Sequence, residues 1–118
     1  MKEYVIQLDH LMTLEKPYLN QNVKISDVSN MINIPSKYIS ESINRIKGQN
    51  FYDYINGYRI KHVTRLLEED NYEKLTLLAI AQESGFKSGS TFNSSFKKEL
   101  GMLPSKYRKE TLHKRTAL

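Results

Sequence analysis

Apolar residues recur along this chain at helical spacing, and the same succession occurs twice. Val5, Leu8, Leu11 and Met12 share one face of a helix predicted from about Lys2 to Thr13, and Pro17 ends it or begins the next loop. Ser26 is the capping candidate for a short helix carrying Val28 and Ile32, followed by a second helix whose buried face is Ile39, Ile43 and Ile46. Gly48 is its C-terminal stop. A long helix is predicted from about Phe51 to Glu69, with Phe51, Tyr54, Ile55, Tyr58, Val63, Leu66 and Leu67 as its apolar stripe. An acidic connector from Glu68 to Glu73 leads to Thr76, which is placed to cap a helix of Leu77, Leu78, Ile80 and Ala81. Gly85 stops that helix, Ser88 caps the next, and Phe92, Phe96 and Leu100 form the face of the latter. A short helix near Pro104 to Lys109 comes next, with Pro104 suited to its first turn, and a basic tail from Thr111 to Leu118 is expected to fray.

The repeat is explicit in the numbering. Leu77 and Ile80 match Ile25 and Val28 at an offset of 52, and Gly85-Phe86 match Asn33-Ile34 at the same offset. After one inserted residue the offset becomes 53, so that Phe92, Phe96, Gly101 and Tyr107 match Ile39, Ile43, Gly48 and Tyr54. Self-similarity of this kind means one supersecondary unit used twice. Asn33 occupies the place of Gly85, and Asn tolerates left-handed backbone better than most residues. Short helix, tight turn and longer helix together read as a helix-turn-helix, whose second helix is shaped for a DNA major groove. The expected fold is all-α, with about seven helices and two helix-turn-helix lobes joined by a long central helix. Its parts are an N-terminal helix (1–17), a first lobe (18–50), a connecting helix (51–70), a second lobe (71–110) and the tail (111–118). At 1.5 Å per residue the connecting helix is roughly 25 Å or more long, suited to hold two recognition helices about 34 Å apart, one turn of B-DNA.

Charge sharpens this picture. The 118 residues carry a formal charge of +5, and its distribution matters more than its size. Residues 36–67 hold six Lys/Arg against two acids and residues 84–118 hold eight against two, whereas residues 68–83 hold one against five. Basic charge therefore gathers on each longer helix and on the segment just after it, the pattern that attracts a phosphate backbone. Scattered lysines ordinarily mean a solvated surface; their coincidence with two helix-turn-helix patterns favours DNA. The chain has no Cys, which excludes disulfides and thiolate metal sites and fits a reducing compartment. No apolar run approaches the roughly 20 residues that cross a bilayer, and no signal-peptide pattern is present. His10, His62 and His113 share no ligand spacing, and no phosphate loop, nucleophile elbow or H-E-x-x-H occurs, so neither enzyme, cofactor nor metal site is expected.

The run IAQESGFKSGSTFNSSFKKELGMLPSKYR, together with the fainter YISESINRIKGQNFYDYINGYRIKHVTRLL, resembles the DNA-binding domain of AraC/XylS-type bacterial transcription regulators over roughly residues 18–109. The match includes an IA helix start, a GF turn, an S-x-S-x-F helix start, an FKK run and a G-x-x-P-S-x-Y-R close. Pro35-Ser36 departs from the family's usual Ser-Pro order, and Ser29 stands where a small Ala is usual. The resemblance implies a cytoplasmic regulator of bacterial transcription, an activator, with duplex DNA and RNA polymerase as partners. Many members of that family carry an upstream sensing or dimerisation domain, for which 118 residues leave no room, so the chain reads as a stand-alone regulator or as the C-terminal portion of a longer one.

The faces opposite the core name the candidate contacts. In the first recognition helix these are Ser36, Lys37, Ser40, Glu41 and Asn44; in the second, Gly89, Ser90, Asn93 and Ser94, with Lys97 beyond. Asn pairs with adenine, Lys with guanine, and Glu accepts from cytosine. Ser36, Ser90 and Asn93 have capping or simple exposure as a rival reading, and Glu41 has pairing with Arg45. Phosphate candidates are Lys47, Lys87, Lys97, Lys98, Lys106 and Arg108, with the helix N-termini near Ser26 and Thr76. Arg59 and Arg65 are open between phosphate and the acids Asp53, Glu68 and Glu69, while Tyr54, Tyr58 and Tyr107 sit at core spacing. The alternative function is a helical protein-interaction module that kept the fold but lost sequence-specific DNA binding, to which the short side chains of the second helix lend some weight.

Overall fold

The computed structural model describes residues 1–69 and 72–116. Among these are seven α-helices and no strand: α1 (Lys2–Leu14), α2 (Ile25–Ile32), α3 (Ser36–Lys47), α4 (Phe51–Leu67), α5 (Leu77–Glu83), α6 (Gly89–Leu100) and α7 (Pro104–Thr116). A 3-10 turn, Pro17–Leu19, comes after α1. Two compact units divide the chain, Met1–Tyr58 and Arg59–Leu118, so that the expected connecting helix contributes a part to each.

The most deeply enclosed side chains of the first unit are aliphatic or Met, with Tyr18, Phe51 and Tyr54 buried beside them. Leu8 and Met12 of α1, Val28 of α2, Ile39 and Ile43 of α3, and Ile55 of α4 are fully enclosed. The second unit sets a continuous run of rings against an aliphatic core. Phe86, Phe92 and Phe96 pack in succession with centroids 5.4 and 5.8 Å apart, and Tyr107 of α7 meets Phe96 at 5.4 Å. Edge-on and tilted contacts of this kind add to simple burial because the positive ring edge meets a negative face. Ile60, Val63, Leu66 and Leu67 of α4 complete that core with Ile80 and Ala81 of α5. Ile60 is absent from the stripe expected for this helix, yet it is buried.

Four details differ from the sequence reading. Spacing puts Ile46 and Leu100 on core faces, but they are 48% and 37% exposed, because each lies in the last turn of its helix, beyond the core. Ser26 does not cap α2. The helix starts at Ile25, and Asp27, in its first turn, accepts from the Lys24 backbone N–H at 2.8 Å, capping the end from within. Finally, α7 does not stop near Lys109 and the chain is helical through Thr116, as nothing after Pro104 in this run is a Gly or Pro breaker and Thr111 and Leu112 are half-buried. Of the expected acidic connector, residues 70 and 71 lie outside the described residues, as do 117 and 118 of the expected tail.

Candidate nucleic-acid interface

Both units build the same turn. At the end of α2, Asn33 adopts φ 56°, and the Ile34 N–H donates to the Ser29 carbonyl at 3.3 Å. At the end of α5, Gly85 adopts φ 102°, and the Phe86 N–H donates to the Ala81 carbonyl at 3.0 Å. Ser29 and Ala81 are 52 residues apart, as are Ile34 and Phe86. The repeated apolar pattern thus encodes a repeated backbone bond, the six-to-one closure that satisfies orphan carbonyls at a helix end. Ser29 adds a bond Ala81 cannot make, its hydroxyl donating to the Ile34 carbonyl at 2.6 Å.

The longer helix leaves each turn differently. Thr76 accepts from the Ala79 N–H at 3.0 Å and Ser88 from the Thr91 N–H at 3.3 Å, so α5 and α6 both have the side-chain caps expected of them. In the first unit Pro35 stands at the N-cap of α3, no side chain caps the end, and Ser36 is the first helical residue. Both longer helices end on a glycine in left-handed backbone, Gly48 at φ 64° and Gly101 at φ 74°.

Burial sorts the candidate side chains. On α3, Ile39, Ser42 and Ile43 face inward; Lys37, Ser40 and Asn44 are exposed, and Ser36 and Glu41 half-exposed. On α6, Phe92 and Phe96 face inward, leaving Ser90, Asn93, Ser94 and Lys97 exposed and Gly89 half-exposed. The two outward serines of α6 already have partners: Ser94 donates to the Ser90 carbonyl at 3.0 Å, and the Ser90 hydroxyl lies 3.3 Å from the Ser88 hydroxyl. Hydroxyls bonded back to their own helix have less to offer a base edge. The outward face of α3 therefore carries the longer reach and that of α6 the shorter.

The cations separate as well. Lys87, Lys97, Lys98 and Lys106 are exposed. Arg108 donates to the carbonyls of Tyr72 and Glu73 at 2.9 and 2.7 Å, tying α7 to the segment before α5. Lys47 is ion-paired with Asp9 of α1 at 3.2 Å and stands 5.5 Å from the Tyr54 ring centroid. Asp9 also accepts from the Tyr54 and Tyr58 hydroxyls at 2.6 and 2.9 Å. Partial burial alone would raise the Asp9 pKa, but the bonds from Tyr54, Tyr58 and Lys47 outweigh it and hold the carboxyl below its ordinary value. Burial, and then the bond to Asp9, pushes the Tyr58 hydroxyl up to about 12, and the same two causes push Tyr54 further up. Arg59 is also a structural cation: it is 7% exposed, with its guanidinium 5.8 Å from the Phe86 ring centroid. His62 Nδ1 lies 2.8 Å from the Ser84 hydroxyl, which donates to the Ile80 carbonyl. The hydroxyl's proton being taken, the ring nitrogen is the donor. The roles of Asp9 and His62 escape the sequence because their partners lie 38 or more and 22 positions away. Among the described residues no helix is long and apolar enough to cross a membrane.

Known proteins share this pattern. A family model described as a helix-turn-helix domain matches residues 28–110. The melibiose operon regulatory protein of Escherichia coli strain K12 is 33% identical over 96 residues, covering 81% of this chain and 31% of that protein. A putative AraC-like transcription regulator of Streptomyces lividans is 31% identical over 85 residues, covering 72% of this chain and 27% of that protein. The chain thus spans about a third of the length of the relatives it matches, 31% and 37% for the melibiose regulator and the msm operon regulatory protein of Streptococcus mutans. Among solved structures, a Listeria innocua protein of unknown function superimposes with a TM-score of 0.68 at 28% identity, covering 88% of this chain and 95% of that one. The C-terminal domain of AraT, a response regulator from Geobacillus stearothermophilus, shares the fold at TM-score 0.67 and 23% identity, covering 84% of this chain and 79% of its own.

Proposed function

From the chain's membership of the AraC-type helix-turn-helix family, established by the match over residues 28–110, we propose that this DNA-binding transcription regulator reads duplex DNA with α3 and α6 in successive major grooves. The observation that carries this reading is the duplicated turn, Ile34 to Ser29 and Phe86 to Ala81, each followed by a helix with a polar outward face. Lys37, Ser40, Glu41 and Asn44 of α3 are assigned to base edges, with Ser36 at the helix start. Asn93 is the principal reader of α6, while Gly89, Ser90 and Ser94 allow close approach. Lys87, Lys97, Lys98 and Lys106 are assigned to phosphates. Arg108, fixed on two carbonyls, is assigned a positioning role. We assign activation, with RNA polymerase as the second partner in the cytoplasm, as the regulatory direction; a reporter behind the selected site checks it.

The test is selection from a random duplex pool, then binding to the enriched site across a salt series. The reading requires one enriched sequence and an affinity that falls linearly on logarithmic axes, flattening by about 0.9 unit for each phosphate-contacting lysine changed to alanine. A protein-interaction module on the same fold would enrich no sequence.

A further inference from the structure

The pair formed by Asp9 and Lys47 bears on how tightly the first unit holds DNA, and the inference rests on the DNA-binding function proposed for α3. Lys47 closes α3. Ser40, Asn44 and Lys47 succeed one another at helical steps of four and three, so Lys47 continues the outward face to its C-terminal end. A lysine there has the reach and the charge for a phosphate. Its ammonium instead lies 3.2 Å from both carboxylate oxygens of Asp9. That carboxylate is anchored independently, since the Tyr54 and Tyr58 hydroxyls both donate to its Oδ1. Asp9 thus offers Lys47 what a phosphate offers, two anionic oxygens held in place. Moving Lys47 to DNA would leave the Asp9 charge close to the phosphate that had taken its partner. We propose that Asp9 is a positioning residue that withholds Lys47 from the DNA backbone, so that the first unit neutralises one phosphate fewer than its basic residues allow.

The pair is about a third exposed on each side, 33% for Lys47 and 37% for Asp9, and exposed ion pairs contribute little to folding. Lys47 is therefore open to replacement, and Asp9→Asn keeps an oxygen that can accept from the Tyr54 and Tyr58 hydroxyls. The experiment measures the salt slope of binding to the selected duplex for the wild type, Asp9→Asn, Lys47→Ala and the double variant, with denaturant melts of each. Asp9→Asn steepens the slope by about 0.9 unit, an affinity dependence larger by about 3–4-fold between 50 and 200 mM salt. Lys47→Ala leaves the wild-type slope, and Asp9→Asn adds nothing in the Lys47→Ala background. If Lys47→Ala alone flattens the slope by about 0.9 unit, Lys47 already sits on a phosphate and the inference is wrong. It is equally wrong if Asp9→Asn leaves the slope unchanged, or steepens it equally in both backgrounds, which would be a general effect of net charge. Should Asp9→Asn fail to fold, Lys47→Ala decides alone, by the same two outcomes. A wild type with no salt-dependent binding overturns this inference together with the proposed function; a wild type with a slope but contrary variants overturns this inference only.

Discussion

The two units reach one backbone geometry with different chemistry. The first turns on Asn33, is capped from within its helix by Asp27, and encloses Ile, Leu, Val and Met most fully, with Tyr18, Phe51 and Tyr54 buried beside them. The second turns on Gly85, is capped by Thr76 and Ser88, and packs a run of three Phe and a Tyr against the aliphatic side chains of α4 and α5. What the repeat keeps is the bond from residue 34 to 29 and from 86 to 81. The side chains that make that bond possible are free to differ, and so are those on the outward faces. A duplicated scaffold therefore does not imply duplicated reading.

Substitutions that act on one unit's chemistry test this contrast. The largest effect is expected at the ring cluster. Phe96→Ala removes contacts with both Phe92 and Tyr107 and costs about 3–5 kcal/mol in a denaturant melt. Its aliphatic equivalent, Ile43→Ala, costs about 2–5 kcal/mol, without the ring–ring component. A loss at Phe96 below that at Ile43 would mean the rings add nothing beyond their area.

The turns come next. Gly85→Val forces a β-branched side chain into backbone at φ 102° and costs about 1–2 kcal/mol or more. Asn33→Gly moves the melting midpoint little, because both residues accept φ 56°. An unchanged midpoint for Gly85→Val would show that this turn does not depend on its glycine. The caps differ by a smaller amount: Thr76→Ala costs about 1 kcal/mol, whereas Ser26→Ala, inside α2 and exposed, stays within about 0.5 kcal/mol. Equal losses at the two positions would contradict the asymmetry in capping.

The smallest expected effect is alkaline and belongs to the first unit. The Tyr58 hydroxyl, raised from 10.0 to about 12, is protonated more readily in the folded than in the unfolded chain. Its contribution is therefore complete below the ordinary phenol value and is lost as pH rises through about 12. The margin of wild type over Tyr58→Phe should shrink across that interval. The Asp9 carboxyl, lowered from 3.8, behaves oppositely: its contribution stands above that value and fades as pH falls below it, so wild type and Asp9→Asn should converge in acid.

The features legible in the sequence are those that local chemistry determines. Gly85, Asn33, Gly48 and Gly101 mark positions that need left-handed backbone, and Thr76 and Ser88 each bond a group three residues away, so a short window contains both partners. Ser26 misleads because a carboxylate one residue further on reaches back to the same helix end. Ile46 and Leu100 keep the helical period but outrun the core, and period says nothing about where a core stops. The roles of the cations are hidden for a different reason. Whether Lys47 or Arg108 is open to a phosphate depends on Asp9, 38 positions away, and on the Tyr72 and Glu73 carbonyls, 36 and 35 away. No spacing rule connects them; only the fold does.

The central claim is that α3 and α6 read DNA unequally, and a panel of selected sites changed one base pair at a time tests it most directly, with Asn44→Ala and Asn93→Ala proteins measured beside the wild type. A good bidentate base contact is worth about 1–3 kcal/mol of discrimination. Unequal reading predicts penalties in that range beneath α3, smaller ones beneath α6, and a sequence preference that relaxes in Asn44→Ala more than in Asn93→Ala. Equal or larger penalties beneath α6, or an Asn44→Ala protein with unchanged preference, would contradict it.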